Sequence, residues 1–415
     1  MKRAIPIVVA LSAASVIVIG LLLLSFFPPG KIPPPSFTPN GDVDNLHNAT
    51  TAAVAKFGSV TNLTENPDDS VYGQVAATGN NSVYVTWQES TNQSGDYDIF
   101  IKKSRDGGDT FGDHIVNISN NAGFSEHPQL AVSSDGNGVY VAWTDDPSVR
   151  REIMFAKSED GISYSEPTTL SNPADAYNVE MAAFGSGVYL VWQANNDGAV
   201  IFRASHDRGE TFDAPVAIAS SAGPDSFPKV AAYGDAVHIV WSVAGESALF
   251  HAKSLDRGET FSKAIKLNGD KAIGEAQVAA YKDDVHVIWG GLHEARVDEL
   301  YYARSDNGGD TFASPLAIGI KNPLNVELAV MPLAGQEQQY ALHVASQVVL
   351  SLKNHEILLT SSMDGGRAFS KPTNLSNNAG ISECPTLSTA GNKIYVSWED
   401  LTTGNHEILY TKGGL

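Results

Sequence analysis

The sequence predicts an all-β protein, a seven-bladed β-propeller whose blades are four-stranded antiparallel sheets. Two observations lead to this prediction. A unit with four short β-rich runs recurs about every 50 residues, a period typical of propeller blades. The octet Ser104–Phe111 recurs within that unit, after the third run. The chain has 415 residues and a hydrophobic content of 42%, as expected for a globular protein with a large core.

The octet returns five times with small changes, and one copy, which begins at Ser158, is a residue short. A carboxylate in this position is suited to accept hydrogen bonds from the N–H groups of its own tight turn. The glycine supplies a backbone conformation that other residues resist, and the phenylalanine is expected to bury against a neighbour. We therefore predict a structural role for the acidic position of the octet, which is held by Asp106, Asp160, Asp207, Asp256, Asn307 and Asp364.

Six octets at this spacing resemble the Asp-box, or BNR, repeat of the sialidase-like β-propeller superfamily. The resemblance covers nearly the whole chain after about residue 56. Proteins of this kind are often labelled exo-alpha-sialidase-like. The motif is specific for the fold and weak for function, because Asp-box propellers include sialidases, other glycosidases, sugar-binding proteins and assembly factors.

The blade count comes from the second run of each unit, which ends in a tryptophan in six units and lacks one around Leu342–Ala345. No octet follows the third run Glu407–Lys412, and the sequence stops at Leu415, where a seventh octet would begin. The segment Phe57–Thr64 matches Phe369–Ser376, which follows the last octet. We predict that this N-terminal strand completes the seventh blade and closes the ring, so that one propeller domain covers residues 56–415. The six tryptophans are predicted to pack between blades: Trp87, Trp143, Trp192, Trp241, Trp289 and Trp398.

The N-terminus differs in composition from the repeats. Met1–Arg3 is positively charged, and the next 24 residues, Ala4–Phe27, are almost wholly apolar. That length spans a bilayer, which takes roughly 20 residues. We predict a single transmembrane or signal helix over 1–27 and a stalk over 28–55 that is first Pro-rich and then polar. The positive end is expected to stay in the cytoplasm, which places the propeller outside the cell membrane. Secretion after signal cleavage is the alternative.

Charge and cysteine content exclude several classes of protein. A net charge of −20 disfavours nucleic acid as a partner. The single cysteine, Cys384, leaves no intrachain disulfide and no cysteine-based metal site. No cofactor is predicted. A Ca²⁺ ion, structural or at a site, is an alternative that no motif supports, because the loop acids Asp96 and Asp98 lack the loop length and closing glutamate of an EF-hand.

Six Asn-X-Ser/Thr sequons occur, at Asn48, Asn62, Asn80, Asn92, Asn117 and Asn374. Three of them, at Asn62, Asn117 and Asn374, fall at the same position of the repeat. Inheritance with the repeat explains these three as well as glycosylation does.

The octets join third and fourth strands, so they lie on one face of the ring. The loops from the second strand to the third, and from one blade to the next, share the opposite face, where a ligand site is expected. Their charges suit a cation or a polyhydroxylated ligand, and solvated loop charge is the alternative. The candidate binding residues on that face are Glu126, His127, Asp145, Asp146, Arg150, Arg151, Glu383, Glu399 and Asp400.

Hydrolysis of a glycoside needs two carboxyl groups about 5–10 Å apart. The candidates for such a pair are Glu126, Asp145 and Glu383, and no catalytic residue is assigned beyond them. The resemblance to sialidases implies three arginines that hold the substrate carboxylate, one of them in an Arg-Ile-Pro type motif, which this sequence lacks. The arginines predicted on the site face are Arg150, Arg151 and Arg296, of which two are adjacent in one loop.

Our leading hypothesis is therefore a non-catalytic, membrane-anchored module that binds a cell-surface glycan or protein, or acts as a scaffold. It rests on the seven-blade count, since the resemblance implies six blades for sialidases, and on the missing arginine motif and the stalk. A sialidase-like or other glycoside hydrolase is the first alternative. An extracytoplasmic assembly factor, by likeness to a seven-bladed Asp-box assembly factor, is the second.

Overall fold

A computed structural model describes residues 55–415, except for 91–95, 122, 147–149, 172–174, 195–197, 224–225, 244–246, 268–271, 294–295 and 337–338. The described residues form an all-β protein of seven antiparallel sheets arranged as a propeller. The predicted anchor and nearly all of the predicted stalk lie outside these residues. Within them, no helix has the length and apolar character needed to cross a membrane.

The first four blades each contain four strands, and two short strands, β1 (Lys56–Phe57) and β2 (Thr61–Asn62), precede them. Blade 1 is β3 (Ser70–Ala77), β4 (Val83–Ser90), β5 (Tyr97–Ser104) and β6 (Ile115–Asn117). Blade 2 is β7 (Phe124–Val132), β8 (Val139–Asp146), β9 (Glu152–Ser158) and β10 (Thr168–Thr169). Blade 3 is β11 (Ala176–Phe184), β12 (Gly187–Ala194), β13 (Ala199–Ser205) and β14 (Val216–Ala219). Blade 4 is β15 (Lys229–Tyr233), β16 (Ala236–Val243), β17 (Ala248–Ser254) and β18 (Ile265–Lys266).

The remaining three blades follow the same antiparallel order. Blade 5 is β19 (Ala272–Tyr281), β20 (Asp284–His293), β21 (Arg296–Ser305) and β22 (Leu316–Lys321). Blade 6 is β23 (Pro323–Pro332), β24 (Tyr340–Ser351), β25 (Asn354–Ser362) and β26 (Thr373–Asn374). Blade 7 contains β27 (Ser382–Ala390), β28 (Lys393–Asp400) and β29 (Glu407–Gly414).

The second strand of each blade is buried on both faces, because neighbouring blades pack against it from two sides. Its sequence is therefore a continuous apolar run rather than an alternating one, as in Val139–Trp143. All six tryptophans that end these strands are buried, and the most exposed, Trp241, has only 4% of its surface accessible. They pack between blades, as predicted from their regular spacing.

The octets form a network of hydrogen bonds around one acidic side chain. In blade 3, the Thr211 N–H and hydroxyl donate to Asp207 at 2.9 and 2.6 Å, and the Ser205 hydroxyl donates to it at 2.8 Å. The Gly209 N–H donates to Ser205 Oγ at 2.8 Å. The bonds from Thr211 and Ser205 lower the pKa of Asp207 to about 2. Asn307 holds the equivalent turn of blade 5 through its side-chain oxygen.

Each full octet also clamps its blade to the blade before it. Phe212 of blade 3 meets Phe155 of blade 2 edge to face, with ring centroids 5.0 Å apart. Gly209 has a φ of +77°, and a Cβ there would lie 2.7 Å from the Phe155 ring, so only glycine fits. Equivalent ring pairs are Phe111–Tyr410, Phe261–Phe202, Phe312–His251 and Phe369–Tyr302.

The N-terminal segment occupies the outer position of the blade 7 sheet. Residues Thr61–Asn62 pair antiparallel with Leu409–Tyr410 of β29, and β1 pairs with the end of the same strand. Beyond β2, the Thr64 hydroxyl donates to the Glu407 carboxylate and accepts a hydrogen bond from the Ile408 N–H at 3.1 Å.

The sequons that recur at one repeat position have a structural task in this fold. Asn117 accepts a hydrogen bond from the Asn120 N–H at 2.8 Å and donates to Asp98 at 2.9 Å. The Ser119 hydroxyl donates to the same Asp98 at 2.7 Å. The sequon residues Asn374 and Ser376 form the same turn and carboxylate contact in blade 6, with Glu356 as the acid. These contacts account for the repetition of the motif without glycosylation.

Candidate functional site

On the face opposite the octets, the inner strands begin with an irregular step. In six blades a described residue near this start has a positive φ, and in six blades, blade 5 among them, the pairing with the second strand shifts register near the same place. Such bulges redirect side chains and are common beside binding sites. Among the described residues this bulge position is held by Tyr72, His127, Asn178, Phe227, Asn325 and Cys384.

A side chain from the preceding blade accepts a backbone hydrogen bond at several of these bulges. Gln88 accepts the His127 N–H at 2.7 Å. Gln347 accepts the Cys384 N–H at 3.4 Å. Gln193 does the same for the N–H of Ser226, the residue before Phe227, at 3.3 Å. Each acceptor directly follows the tryptophan position, and we call these contacts the seams between blades.

Glu399 makes the seam between blade 7 and blade 1. It accepts the Tyr72 N–H at 2.7 Å and has only 4% of its surface exposed. Burial raises the pKa of Glu399 to about 7. The structure thus places this predicted site residue underneath the face, where it supports Tyr72.

Asp145 and Asp400 each bind the segment that leads into their own blade. Asn121 and Ser125 donate to Asp145 at 3.1 and 3.0 Å, and burial raises the pKa of Asp145. Asn378 and Ser382 donate to Asp400 at 2.7 and 2.8 Å. In blade 1, Glu89 has the equivalent partners Asn66 and Ser70. Both predicted site acids are buried and hold a loop, which is a structural task.

Glu126 has a different environment. Its side chain is 23% exposed and lies 3.8 Å from the Arg151 guanidinium, which stands 5.3 Å from the ring centre of Tyr177 in blade 3. Burial raises the pKa of Glu126, the Arg151 charge opposes the rise, and the Asp146 charge adds to it. Glu126, Arg151 and Tyr177 therefore form a continuous strip across blades 2 and 3.

Aromatic rings extend this strip into blade 1. The Tyr72 and His127 rings lie 4.3 Å apart. Burial lowers the pKa of His127 to about 4, so the imidazole is neutral at pH 7. Burial, followed by the charges of Asp69 and Glu126, raises the pKa of Tyr97. We call Tyr72, Tyr97, Glu126, His127, Arg151 and Tyr177 the rim cluster.

Glu383 lies on the other side of blade 1, since β3 packs against both β27 and β7. Its carboxylate oxygen Oε1 lies 3.0 Å from His355 Nδ1, and its side chain is 21% exposed. The same histidine nitrogen lies 3.0 Å from Gln347 of the blade 6 seam. Of the predicted catalytic carboxylates, Glu126 and Glu383 are thus the two that reach the surface.

The predicted arginine set does not assemble among the described side chains. Arg151 joins the rim cluster, Arg150 is exposed beside it, and the side chain of Arg296 lies outside the described part. No group of three or more histidine, cysteine, aspartate or glutamate side chains in the described residues is placed to hold a metal ion.

Sequence reasoning missed Tyr97 and Tyr177 and the role of the seams. Tyr97 and Tyr177 come from different blades, and no motif connects them. The seams had a visible signal, because the residue after the tryptophan position is Gln88, Gln193 and Gln347 in three blades and Glu399 in another.

The chain matches no family model and no curated protein. It is similar in structure to an ulvan lyase, a polysaccharide lyase of a new family, with a TM-score of 0.54 and 12% identity over 83% of this chain and 93% of that one. It is also similar to the phage phi92 endosialidase, with a TM-score of 0.52 and 9% identity over 86% and 69% of the two chains.

The Trypanosoma rangeli sialidase matches with a TM-score of 0.50 and 12% identity over 87% of this chain. The chain spans 53–60% of the length of the sialidase structures from that organism. These likenesses show a sialidase-like propeller fold.

Proposed function

We propose that the protein is a membrane-anchored, extracytoplasmic propeller that binds a neutral cell-surface glycan through the rim cluster, without catalysis. The observation that carries this proposal is the rim cluster itself. It combines three tyrosine rings with a carboxylate, a guanidinium and a neutral imidazole at partly exposed positions. Aromatic rings suit the apolar faces of sugars, and a few convergent polar groups suit their hydroxyls.

A comparison of equivalent positions in different blades distinguishes the rim cluster from the structural residues. The octets, the tryptophans and the seams recur from blade to blade, and the full octets repeat the same bond from a serine to an acid, as from Ser205 to Asp207 and from Ser254 to Asp256. The positions equivalent to Arg151 in blades 3 and 4 are Gly198 and Ser247, and the position equivalent to Tyr177 in blade 4 is Ser226. These residues of the rim cluster are thus not repeated in blade 4, as expected of a binding site on a repeated scaffold.

Charge supports a neutral ligand. The chain carries a net charge of −20, and the Arg151 cation already faces Glu126. A polyanion would meet repulsion across most of this surface. The structural neighbours are named for enzymes that act on glycans, which supports sugar as the ligand class.

A glycoside hydrolase is the second candidate, and one observation favours it. Glu126 and Glu383 reach the surface on either side of blade 1, and the raised pKa of Glu126 suits a general acid. Glu383 would then serve as the base. An assembly factor stays a prediction from the sequence, with no structural observation in its favour.

We also propose that the N-terminal strand closes the ring, as the sequence predicts. Its pairing with β29 and the contact of Thr64 with Glu407 support this proposal. Closure removes two strand edges that would otherwise be free to pair with other chains.

The test is binding of the full-length chain, in detergent micelles, to an array with neutral glycans such as chitohexaose and mannohexaose and with acidic ones such as sialyllactose. Arg151→Ala is expected to lower the affinity for the bound glycan by about tenfold. Arg150→Ala removes the same charge one residue away, and it is expected to change the affinity by less than about twofold.

Equal loss in both variants, or no binding to any glycan, would contradict the binding proposal. Hydrolysis of aryl glycosides by the same protein, abolished by Glu126→Gln and by Glu383→Gln, would establish the second candidate in its place.

A further inference from the structure

The seams differ in the chemical group that accepts the backbone hydrogen bond. At three of them the acceptor for the next blade's backbone N–H is a glutamine amide, from Gln88, Gln193 or Gln347. An amide has no proton to lose in the physiological range. At the junction of the last blade with the first, the acceptor is the carboxyl of Glu399. This junction alone among the four can change its charge.

Glu399 is enclosed by groups from three directions. Tyr72 of β3 donates its N–H, and Cys384 of β27 donates its thiol. Glu383 of β27 and His406, just before β29, are the charged or titratable groups that act on it through space. Beyond them, His355 binds Glu383 and Asp69 binds His406. No lysine or arginine is among these neighbours, so within the described residues the ionised carboxylate has no permanent cation beside it.

The two protonation states differ in what they offer Tyr72. A neutral glutamic acid resembles glutamine in shape and in hydrogen bonding, so it can hold the bulge as the other seams do. An ionised carboxylate in a buried site carries a desolvation cost. The hydrogen bonds from Tyr72 and Cys384 and the charge of His406 offset this cost only in part, since burial is the largest influence on the pKa of Glu399. It also faces the negative charge of Glu383. Water must enter the seam or the seam must open to relieve this cost.

The seam lies directly beneath the rim cluster. Tyr72 holds a left-handed backbone conformation, with a φ of +54°, and its ring lies against His127 at 4.3 Å. The hydrogen bond to Glu399 fixes this conformation at the first residue of the cluster. A change in the charge of Glu399 therefore acts on the rim cluster through Tyr72.

We propose that Glu399 is a positioning residue that makes the junction of blades 7 and 1 responsive to pH: neutral Glu399 keeps the junction closed around Tyr72, and ionised Glu399 favours an opened junction in which the carboxylate meets water. The consequence for glycan affinity rests on the proposed function. The consequence for the junction does not.

The direction with pH follows from linkage. Glu399 has a pKa of about 7 in the folded protein, above the ordinary value of 4.5 for a glutamate side chain. Its contribution to stability is fully present below the unfolded value and is lost as the pH rises through about 7. The junction is therefore expected to loosen on the alkaline side.

Hydrogen–deuterium exchange of the full-length chain tests this proposal. The peptide that contains Tyr72 is compared between the natural chain and Glu399→Gln at about pH 6 and about pH 8. At the lower pH, the two chains are expected to exchange alike. At the higher pH, the natural chain is expected to exchange this peptide about tenfold faster than the variant. The peptide that contains His127, held by Gln88, serves as the internal control and is expected to match in both chains.

The reciprocal variant Gln88→Glu keeps the test decisive if Glu399→Gln does not fold. It is expected to transfer the alkaline loosening to the His127 peptide. Identical exchange of the Tyr72 peptide in the natural chain and Glu399→Gln at both pH values would overturn the proposal. So would a Gln88→Glu chain whose His127 peptide is insensitive to pH.

Chitohexaose and mannohexaose titrations at the same two pH values separate the two claims. The natural chain is expected to lose affinity at the higher pH, and Glu399→Gln is expected to keep it. Exchange that differs as described, together with no binding of either sugar, would leave the junction established and contradict the proposed function.

Discussion

Asp207 on the octet face and Glu399 beneath the opposite face are both single carboxylates in a repeated position, yet their pKa values move apart. Asp207 lies at the surface, and hydrogen bonds from Thr211 and Ser205 lower its pKa to about 2. Glu399 is buried, and desolvation raises its pKa to about 7. The exposed acid is the one fixed in its charge, because every bond it accepts favours the ionised form.

The comparison extends to the two faces as a whole. The octet face repeats one structure, in which the same turn, glycine and aromatic ring join a blade with a full octet to the blade before it. The opposite face repeats only the seams and varies the residues above them. Residues that repeat from blade to blade therefore lie on the face that holds the ring together. Residues that differ between blades lie on the face available to a ligand. The predictions below test this division, beginning with the largest expected effect.

The octet glycine is expected to be the most sensitive position. Gly258 has a φ of +94°, and a Cβ there would lie 2.5 Å from the Phe202 ring of the preceding blade. Gly258→Ala is expected to lower the free energy of unfolding by about 3 kcal/mol, from backbone strain and overpacking together. Chemical denaturation of the full-length chain measures it.

The matched control is Gly234→Ala in the same blade. Gly234 also has a positive φ, +61°, but no atom would lie within 4 Å of its Cβ. Its replacement is expected to cost about 1 kcal/mol, the strain of the backbone alone. Equal losses in the two variants would show that the octet does not clamp one blade to the next.

A smaller effect is expected at the octet carboxylate. Asp207→Ala removes the acceptor for Thr211 and Ser205 and is expected to cost about 1–2 kcal/mol. Asp207→Asn is expected to cost less than about 0.5 kcal/mol near neutral pH, because Asn307 performs the same task in blade 5. Thermal denaturation of the three chains gives the comparison.

The pH dependence has a definite sign for Asp207. Since its folded pKa lies below the ordinary value of 3.8, its contribution is present above that value and is lost as the pH falls through about 2. As the pH falls, the natural chain is therefore expected to lose stability relative to the Asp207→Asn chain. A difference independent of pH would contradict the assigned hydrogen bonds.

The parts of the fold that were predictable from sequence are those that repeat. Trp143 and Asp106 could be assigned because each recurs with the same neighbours along the chain. The rim cluster could not be assembled in this way, since its six residues come from three different blades. Tyr97 and Tyr177 belong to no repeated motif, and their proximity to Glu126 and Arg151 follows only from the packing of the blades.

Asp145 and Asp400 show a different limit. As loop acids on the site face they were candidates for binding a ligand. In the structure, serine hydroxyls of their own blades donate hydrogen bonds to them instead. The sequence contained the signal, because an asparagine and a serine four residues apart precede each acid, as in Asn121 and Ser125. Pairing of that motif with a particular acid required the register of the strands.

The most direct test of the division between the faces is one titration of the strongest-binding array glycan against two variants of equal charge. Glu126→Gln removes a carboxylate from the rim cluster, and Asp256→Asn removes one from an octet. We expect Glu126→Gln to weaken binding by about tenfold and Asp256→Asn to change it by less than about twofold. Weaker binding in Asp256→Asn with full binding in Glu126→Gln would place the ligand on the octet face and contradict the account.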